Sequence, residues 1–281
     1  MNKFVIFSDV DGTIYGFPHK KLSEVNRLKI NSLSEKGIPF VINTGNALVD
    51  KIKRLGDILG SRYLICSGGA VIYDNYDKKY LHIEKMDLNE VQRLFDVAEQ
   101  INARLYYFGK DQNYFKNHSQ EMYDFLSEFM EYHDWITDGR IPEDIHKIEV
   151  YGDYEEVKRV WQEFQKHDFD LNIIYLGSHI EITKKGVSKG SAIKWMCENI
   201  FQTDPENVMG IGDSENDIAM FEVAGYSYAM DNTPAHVKKY VKYFTSDVAQ
   251  NGISEAIDDY LYRISLEIKR QEIEQKLQKA K

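Results

Sequence analysis

The sequence has few cysteines and prolines, no long apolar run and no excess of basic residues, and each shortage excludes a class of protein. Two cysteines and five prolines among 281 residues exclude a disulfide scaffold and a proline-rich disordered chain. No apolar stretch approaches the ~18 to 20 residues of a membrane-spanning helix. Acidic residues number 45 against 35 basic ones, and the net charge of -10 disfavours nucleic acid as a partner.

The N-terminus and the cysteines indicate the compartment. The apolar run at residues 4–7 is followed at once by acidic residues, so it is too short for the core of a signal peptide. Cys66 and Cys197 lie in apolar segments without metal-ligand spacing, and we expect both to be buried small hydrophobic residues. Together these features favour a reduced, cytoplasmic setting, with no membrane partner.

Short apolar runs alternate with amphipathic ones along the first part of the chain. Strands are predicted at 4–8, 39–43 and 63–66, where nearly every residue is apolar. Between them, apolar residues recur at helical spacing over 22–36 and 48–59, and a glycine follows each run, as is typical of a helix end. Continuous apolar strands separated by helices indicate an α/β fold, in which helices cover both faces of a parallel sheet.

After residue 79 the pattern changes, and aromatic residues become frequent. Strands are predicted near 80–85, 104–108, 146–151, 172–176 and 179–183, and helices near 88–102, 119–132 and 154–167. Apolar and polar residues alternate in the strands at 146–151 and 179–183, which is typical of a sheet with one packed and one exposed face. This segment is therefore expected to form a separate α+β domain.

The first pattern resumes at Ser188, a good helix N-cap that precedes a predicted helix and an apolar strand at 208–212. The α+β segment is therefore expected to be an insertion. The predicted division is a discontinuous core domain at 1–79 and 185–281, with an inserted domain at 80–184.

Four carboxylates follow two of the apolar strands directly. They are Asp9 and Asp11 after the strand at 4–8, and Asp213 and Asp217 after the strand at 208–212. If these strands are neighbours in a parallel sheet, their carboxyl ends share the crevice in which open α/β sheets bind ligands. Four carboxylates at close range need a cation, and a ligand set of oxygens alone favours Mg²⁺ bound together with a phosphate. The alternative is that Asp213 and Asp217 only stabilise the start of the following helix.

Two further segments are suited to binding a phosphate. Thr44 and Gly45 follow the strand at 39–43 and open a helix, where a hydroxyl group and backbone N–H groups form an anion site. Lys189 begins the helix after Ser188, where its charge opposes the helix dipole, so a nearby anion or carboxylate is expected.

The motifs of this chain, in the order in which they occur, resemble those of the haloacid dehalogenase superfamily phosphatases, in particular the Cof-like subfamily with a type IIB cap. The matching segments are Asp-Val-Asp-Gly-Thr at 9–13, Thr44-Gly45, Lys189-Gly190, Gly-Asp-Ser-Glu-Asn-Asp at 212–217 and the segment around Asn232. The second motif of the family usually ends in arginine, whereas this chain has Asn46. The resemblance covers nearly the whole chain and implies a Rossmann-like, three-layer core with a parallel sheet and an inserted α+β cap.

The resemblance also implies a Mg²⁺-dependent phosphatase that hydrolyses small phosphomonoesters through an aspartyl-phosphate. Asp9 would be the nucleophile, and Asp11 would protonate the leaving group and then activate water. The metal would be held by Asp9, the backbone carbonyl of Asp11, Asp213 and Asp217, and the phosphate by Asp11, Gly12, Thr44, Gly45 and Lys189. Asn216 and Asn232 would support these groups.

The inserted domain is expected to close over the site and to contact the rest of the substrate. The candidate specificity residues are Asn46 and, in a predicted aromatic loop, Tyr114, Phe115 and His118. Sugar phosphates and other small phosphorylated metabolites remain open as substrates.

Other functions on the same scaffold stay open at this point. A phosphotransferase or phosphomutase would pass the phosphoryl group to an alcohol instead of water. A non-catalytic regulator that binds phosphorylated metabolites is a second alternative, and Asn46 is the one motif difference in its favour. A receiver domain would carry no inserted domain, so the length of this chain argues against it.

Overall fold

The structure, a computed structural model, describes residues 3–16, 21–129 and 135–279. These residues form thirteen strands: β1 Val5–Ser8, β2 Phe40–Asn43, β3 Tyr63–Cys66, β4 Val71–Asp74, β5 Lys79–Ile83, β6 Leu105–Phe108, β7 Asn113–Lys116, β8 Lys147–Tyr151, β9 Leu171–Tyr175, β10 His179–Lys184, β11 Val208–Gly212, β12 Tyr226–Ala229 and β13 Tyr243–Phe244. The α-helices in the described segments are α1 Glu24–Ser32, α2 Asp50–Leu59, α3 Leu88–Gln100, α4 Gln120–Phe129, α5 Tyr154–Phe164, α6 Lys189–Met196, α7 Ile218–Val223, α8 Ala235–Lys238 and α9 Gly252–Lys279.

The larger of two sheets has eight strands in the order β13-β12-β11-β1-β2-β3-β4-β5. The strands from β13 to β3 are parallel, and β4 and β5 complete the sheet as antiparallel strands. β1 lies between β11 and β2, with Ser8 paired to Ile211 on one side and to Ile42 on the other. The predicted adjacency of the strands at 4–8 and 208–212 is confirmed, and their carboxyl ends lie side by side.

Helices cover both faces of this sheet because residues in its central strands alternate between two apolar cores. Ile6 of β1 belongs to the core formed with α1, α2 and α9. Val5 and Phe7 point the opposite way, into the core formed with α6 and α7. The predicted three-layer α/β architecture is confirmed.

The smaller sheet is antiparallel, in the order β7-β6-β8-β10-β9. Apolar residues on one face, such as Ile148 and Ile180, pack against α3 and α5. The opposite face carries the polar residues of β8 and β10, so the alternation of residue types is confirmed. The expectation that this face is exposed is wrong, because Lys147, Glu149 and Glu181 are buried. That face lies against the carboxyl edge of the larger sheet, where Lys147 donates a hydrogen bond to the backbone carbonyl of Gly45.

Two local predictions need correction. The strand expected at 80–85 is β5, and it lies in the larger sheet rather than with the insertion, because it pairs with β4, which the sequence analysis did not predict. The predicted aromatic loop contains β7. The helix predicted at 119–132 is α4, and its expected end at 130–132 lies outside the described residues. Among the described residues, no helix combines the length and apolar character needed to cross a membrane.

Candidate active site

Four segments bring polar side chains to the carboxyl edge of the larger sheet. Asp9 follows β1, Asp213 follows β11 and Thr44 follows β2, while Lys189 is the first residue of α6. Asp9 is fixed beside β11 by a hydrogen bond of 2.9 Å from its backbone N–H to the carbonyl of Ile211. The crevice predicted from the sequence is therefore present, with these groups meeting in it.

Lys189 lies at the centre of the site and is buried. Its Nζ is 2.6 Å from Asp9 Oδ1, 2.6 Å from Asp217 Oδ1 and 3.1 Å from Asn216 Oδ1. Burial alone would lower the pKa of the Lys189 ammonium, but Asp217 and Asp9 outweigh burial and raise it above its ordinary value. Lys189 is therefore a fixed cation, and the nearby carboxylates explain a lysine at a helix N-terminus.

The carboxyl groups carry more negative charge than Lys189 compensates. Burial raises the pKa of Asp9 well above its ordinary value, although Lys189 opposes the change. Burial and the charge of Asp217 raise the pKa of Asp213 to about 7. Both shifts mean that added positive charge, from protons or from a metal cation, is favourable at this cluster.

The residues present fit Mg²⁺. One carboxylate oxygen from each of Asp9, Asp213 and Asp217 lies within 4.8 Å of the others, and oxygen is the donor that Mg²⁺ prefers. Gly12 allows the two acidic loops to approach closely, because its φ is +90° and a Cβ there would overlap the Asp213 carboxylate. Asp11 lies outside this cluster, and its buried Oδ1 has no hydrogen-bond partner in the described part of the chain.

Hydrogen bonds hold the acidic loops in place. Asp217 Oδ2 accepts from the backbone N–H groups of Asp213, at 2.9 Å, and Ser214, at 3.0 Å. The same carboxylate therefore caps the turn, as the helix-start alternative expected, and also binds Lys189. Asn232 joins the loops by donating to the carbonyl of Gly12, at 2.9 Å, and to Asp213 Oδ2, at 3.1 Å.

Asn46, where the sequence resemblance expected arginine, connects the loop that carries Thr44 to Asp11. Its Nδ2 donates to Asp11 Oδ2 at 2.7 Å and lies 2.9 Å from Thr44 Oγ1. The Thr44 hydroxyl also accepts from the Asn46 backbone N–H at 3.1 Å. The amide thus orients a carboxylate of the site.

A cavity of about 840 Å³ lies between these loops and the smaller sheet. The larger sheet contributes Asp9, Asp11, Gly12, Thr44, Gly45, Asn46 and Asp213, and the segment with the smaller sheet contributes Arg104, Met122, Glu149, Tyr151, His179 and Glu181. Tyr151 and His179 stack with ring centroids 4.9 Å apart. This volume is within the range of small-molecule sites.

Three of the predicted specificity residues do not reach the cavity. Tyr114 lies on β7 and stacks on Tyr107, while Phe115 is buried with its ring 4.2 Å from that of Trp135. His118 packs against Phe115. Tyr114 and Phe115 are buried in apolar clusters on opposite faces of β7, and His118 is exposed outside the cavity, so we do not assign these side chains contact with a ligand.

The sequence analysis missed a buried charged cluster, Lys147, Glu149 and Glu181. Lys147 donates to Glu149 Oε1 and, at 2.9 Å, to Glu181 Oε1, besides the Gly45 carbonyl. Burial lowers the pKa of Lys147, but the two glutamates outweigh burial and raise it. Burial raises the pKa of Glu181, but Lys147 outweighs this and lowers it to about 2. The sequence feature that could have indicated this cluster is a lysine and a glutamate at alternate positions of an otherwise apolar strand.

Replacing Lys147 with methionine is expected to lower the free energy of unfolding by about 3 to 5 kcal/mol, because two buried carboxylates lose their cation. Urea unfolding measures the change. Lys185→Met is the matched control, since both side chains of the Lys185–Asp170 pair are exposed and the pair contributes little to the free energy of unfolding. Equal stability of the two variants would show that the buried cluster does not stabilise the fold.

Known proteins share this architecture. Residues 6–257 match the family model described as haloacid dehalogenase-like hydrolase. A 5-amino-6-(5-phospho-D-ribitylamino)uracil phosphatase of Bacillus subtilis is 27% identical over 258 residues, which cover 90% of this chain and 94% of that protein. A phosphoglycolate phosphatase of Methanothermobacter thermautotrophicus is 27% identical over 254 residues, which cover 90% of this chain and 96% of that protein.

The fold also matches solved structures. A haloacid dehalogenase-like hydrolase from Bacteroides thetaiotaomicron superimposes with a TM-score of 0.78, covering 92% of this chain and 99% of that one, at 22% identity. The family match spans most of the chain and includes the loops that carry Asp9 and Asp213. The chain is therefore a member of the haloacid dehalogenase-like hydrolase family and an enzyme of its phosphatase type.

Proposed function

We propose that this enzyme is a Mg²⁺-dependent phosphatase that hydrolyses small phosphomonoesters through an aspartyl-phosphate on Asp9. The main support is the buried Asp9 carboxylate, 2.6 Å from Lys189 and clustered with Asp213 and Asp217 at the floor of a cavity of about 840 Å³. The two relatives are named for small phosphorylated substrates, which fits a cavity of this size.

In the proposed reaction, a carboxylate oxygen of Asp9 forms a bond to phosphorus while the ester bond to the leaving alcohol breaks. Asp11 gives its proton to the leaving oxygen and then takes a proton from the water that attacks phosphorus, which releases Asp9. The hydrogen bond from Asn46 Nδ2 to Asp11 Oδ2 orients Asp11 for both transfers.

The remaining groups would bind the phosphate and its charge. Thr44 and Lys189 would hold phosphate oxygens and stabilise the negative charge in the transition state. Asp9, Asp213 and Asp217 would hold Mg²⁺, which supplies positive charge to these carboxylates and to the phosphate when bound. Asn216 and Asn232 keep Lys189 and Asp213 in position.

We further propose that the chain between β5 and α6 acts as a cap over a core made of the remaining residues. The polar face of its sheet covers the cavity above Asp9 and reaches the core through Lys147 and Glu181. Such a cap excludes water during the first step and contacts the leaving group.

Inorganic phosphate release from a panel of phosphorylated metabolites tests the function. We expect release with Mg²⁺, loss of activity with a chelator, and recovery when Mg²⁺ is added back. Activity that requires Zn²⁺ and that Mg²⁺ does not support would contradict the metal assignment. Formation of a new phosphate ester in place of free phosphate would instead identify a phosphotransferase.

Mg²⁺ is also expected to raise the melting temperature more at about pH 8 than at about pH 5. The pKa of Asp213, about 7 against an ordinary 3.8, means that the folded protein binds this proton more tightly than the unfolded chain. The stability from this proton is complete below about pH 4 and is lost as the pH rises through about 7. Mg²⁺ takes the place of the proton, so its effect grows over the same interval.

Thermal unfolding with Mg²⁺ or with a chelator, at both pH values, measures this difference. Asp213→Asn is the control, because it removes both the proton site and a metal ligand. An equal Mg²⁺ effect at both pH values, or an undiminished effect in Asp213→Asn, would contradict the assignment.

A further inference from the structure

Glu149 is a buried carboxylate in the wall of the cavity, and one of its oxygens is unused. The residue is 2% exposed and lines the cavity. Its Oε1 accepts a hydrogen bond from Lys147, whereas its buried Oε2 has no hydrogen-bond partner among the described residues. A buried acceptor without a partner costs free energy, so such a group at a cavity points to a ligand that donates a hydrogen bond.

The position of Glu149 in the cavity indicates which part of the substrate would donate this hydrogen bond. Lys147 ties Glu149 to the Gly45 carbonyl, next to Thr44, and Glu181 accepts from Asn216, which binds Lys189. The cluster thus lies beside the two loops that would hold the phosphate. A substrate group that meets Glu149 from the cavity therefore belongs to the alcohol part of the ester.

The charges around Glu149 define which donor fits. Lys147 lies between Glu149 and Glu181, so the three buried groups together carry one negative charge. The Arg104 guanidinium in the same wall is already paired with Glu156. A carboxylate on the leaving group would meet repulsion here. An ammonium group would balance the remaining negative charge, but burying a second cation carries a large desolvation cost. A neutral hydroxyl group satisfies Glu149 without a further charge.

We propose that Glu149 accepts a hydrogen bond from a hydroxyl group of the leaving alcohol and thereby selects phosphate esters whose neutral alcohol carries a further hydroxyl group. This inference rests on the proposed phosphatase function and adds the substrate class and a specificity-determining residue. Phosphate esters of hydroxy acids, and of alcohols without a further hydroxyl group, are discriminated against.

Four substrates of similar size test the selection: glycerol 3-phosphate, propyl phosphate, phosphoglycolate and ethanolamine phosphate. With Mg²⁺, we expect kcat/KM for glycerol 3-phosphate to exceed that for propyl phosphate by at least about 10-fold, since the hydroxyl group bonds to a charged acceptor. Phosphoglycolate should rank below propyl phosphate. A preference for ethanolamine phosphate or phosphoglycolate over glycerol 3-phosphate would overturn the inference.

The variant Glu149→Gln gives a sharper test, because it changes both hydrogen bonding and charge at the same shape. Lys147 can only donate, so the introduced amide directs its oxygen to Lys147 and its NH₂ group to the position of Oε2. We expect kcat/KM to fall for glycerol 3-phosphate and to rise for phosphoglycolate, changing their ratio by at least about 10-fold. Structural damage alone would lower both values.

Glu163→Gln is the matched control, because Glu163 lies on α5 and pairs with Lys166 away from the cavity. It should leave the substrate ranking unchanged, and thermal unfolding verifies that both variants are folded. If Glu149→Gln keeps the wild-type ratio of kcat/KM for glycerol 3-phosphate to kcat/KM for phosphoglycolate, Glu149 does not determine specificity. If the wild type hydrolyses none of the four esters or the metabolite panel, the phosphatase proposal itself fails, which is a distinct outcome.

Discussion

Replacing Asp9 with asparagine is expected to lower kcat by at least about 10⁴-fold and to leave the fold intact. An amide cannot attack phosphorus, and loss of a covalent nucleophile costs several orders of magnitude in rate. The fold should survive because burial already works against the charge of Asp9, as the raised pKa of this carboxyl shows. An asparagine keeps the shape of the side chain without the buried charge.

Steady-state kinetics and thermal unfolding measure the two effects of Asp9→Asn. Asp170→Asn is the matched control, since the exposed Asp170 carboxylate pairs with Lys185 at the surface. It should retain the wild-type rate. Turnover of Asp9→Asn within about 10-fold of the wild type would exclude Asp9 as the nucleophile.

Replacing Lys189 with methionine is expected to reduce both kcat/KM and stability. The ammonium group lies 2.6 Å from Asp9 and from Asp217, and its loss leaves both carboxylates buried without their cation. Breaking a buried ion pair on one side costs about 3 to 5 kcal/mol. Loss of a charged group that binds the transferred phosphoryl oxygens should lower kcat/KM by at least about 10³-fold.

The loss of both activity and stability distinguishes Lys189→Met from Asp9→Asn, which is expected to lose activity but to keep its stability. Lys194→Met, on the exposed face of the same helix, is the control and should change neither quantity. Mg²⁺ should restore part of the stability of Lys189→Met, because it binds the same carboxylates. An active Lys189→Met variant would show that Lys189 does not bind the phosphate.

The central part of the fold and site could be predicted because its signals are local. β1 and β11 are continuous apolar runs, and each is followed at once by carboxylates, so Asp9 and Asp213 stand out without any tertiary information. Lys189 was recognisable because its charge is unfavourable at a helix N-terminus unless an anion lies nearby.

The sheet to which β5 belongs could not be predicted in the same way. Its residues are compatible with either sheet, and only the pairing with β4 places it at the edge of the larger one. Aromatic composition was likewise ambiguous, since Phe115 is equally suited to a core and to a binding loop. Its burial against Trp135 depends on how the chain folds back.

The charged cluster on the smaller sheet needs three distant segments to meet. Lys147 and Glu181 come from different strands, and the Gly45 carbonyl comes from the other sheet. A sequence pattern shows that the polar face of β8 is unusual, but not that it is buried against the loop that carries Gly45. Nonlocal pairing of this kind depends on the register between β8 and β10.

Trapping the covalent intermediate tests the central claim most directly. In Asp11→Asn, p-nitrophenyl phosphate should still phosphorylate Asp9, because its leaving group needs no proton, whereas the attacking water lacks its base. We expect a burst of about one p-nitrophenol per active site, and mass spectrometry of the acid-quenched protein should find one phosphoryl group on the peptide that contains Asp9. Turnover without a burst, or a phosphoryl group on any other residue, would contradict an aspartyl-phosphate at Asp9.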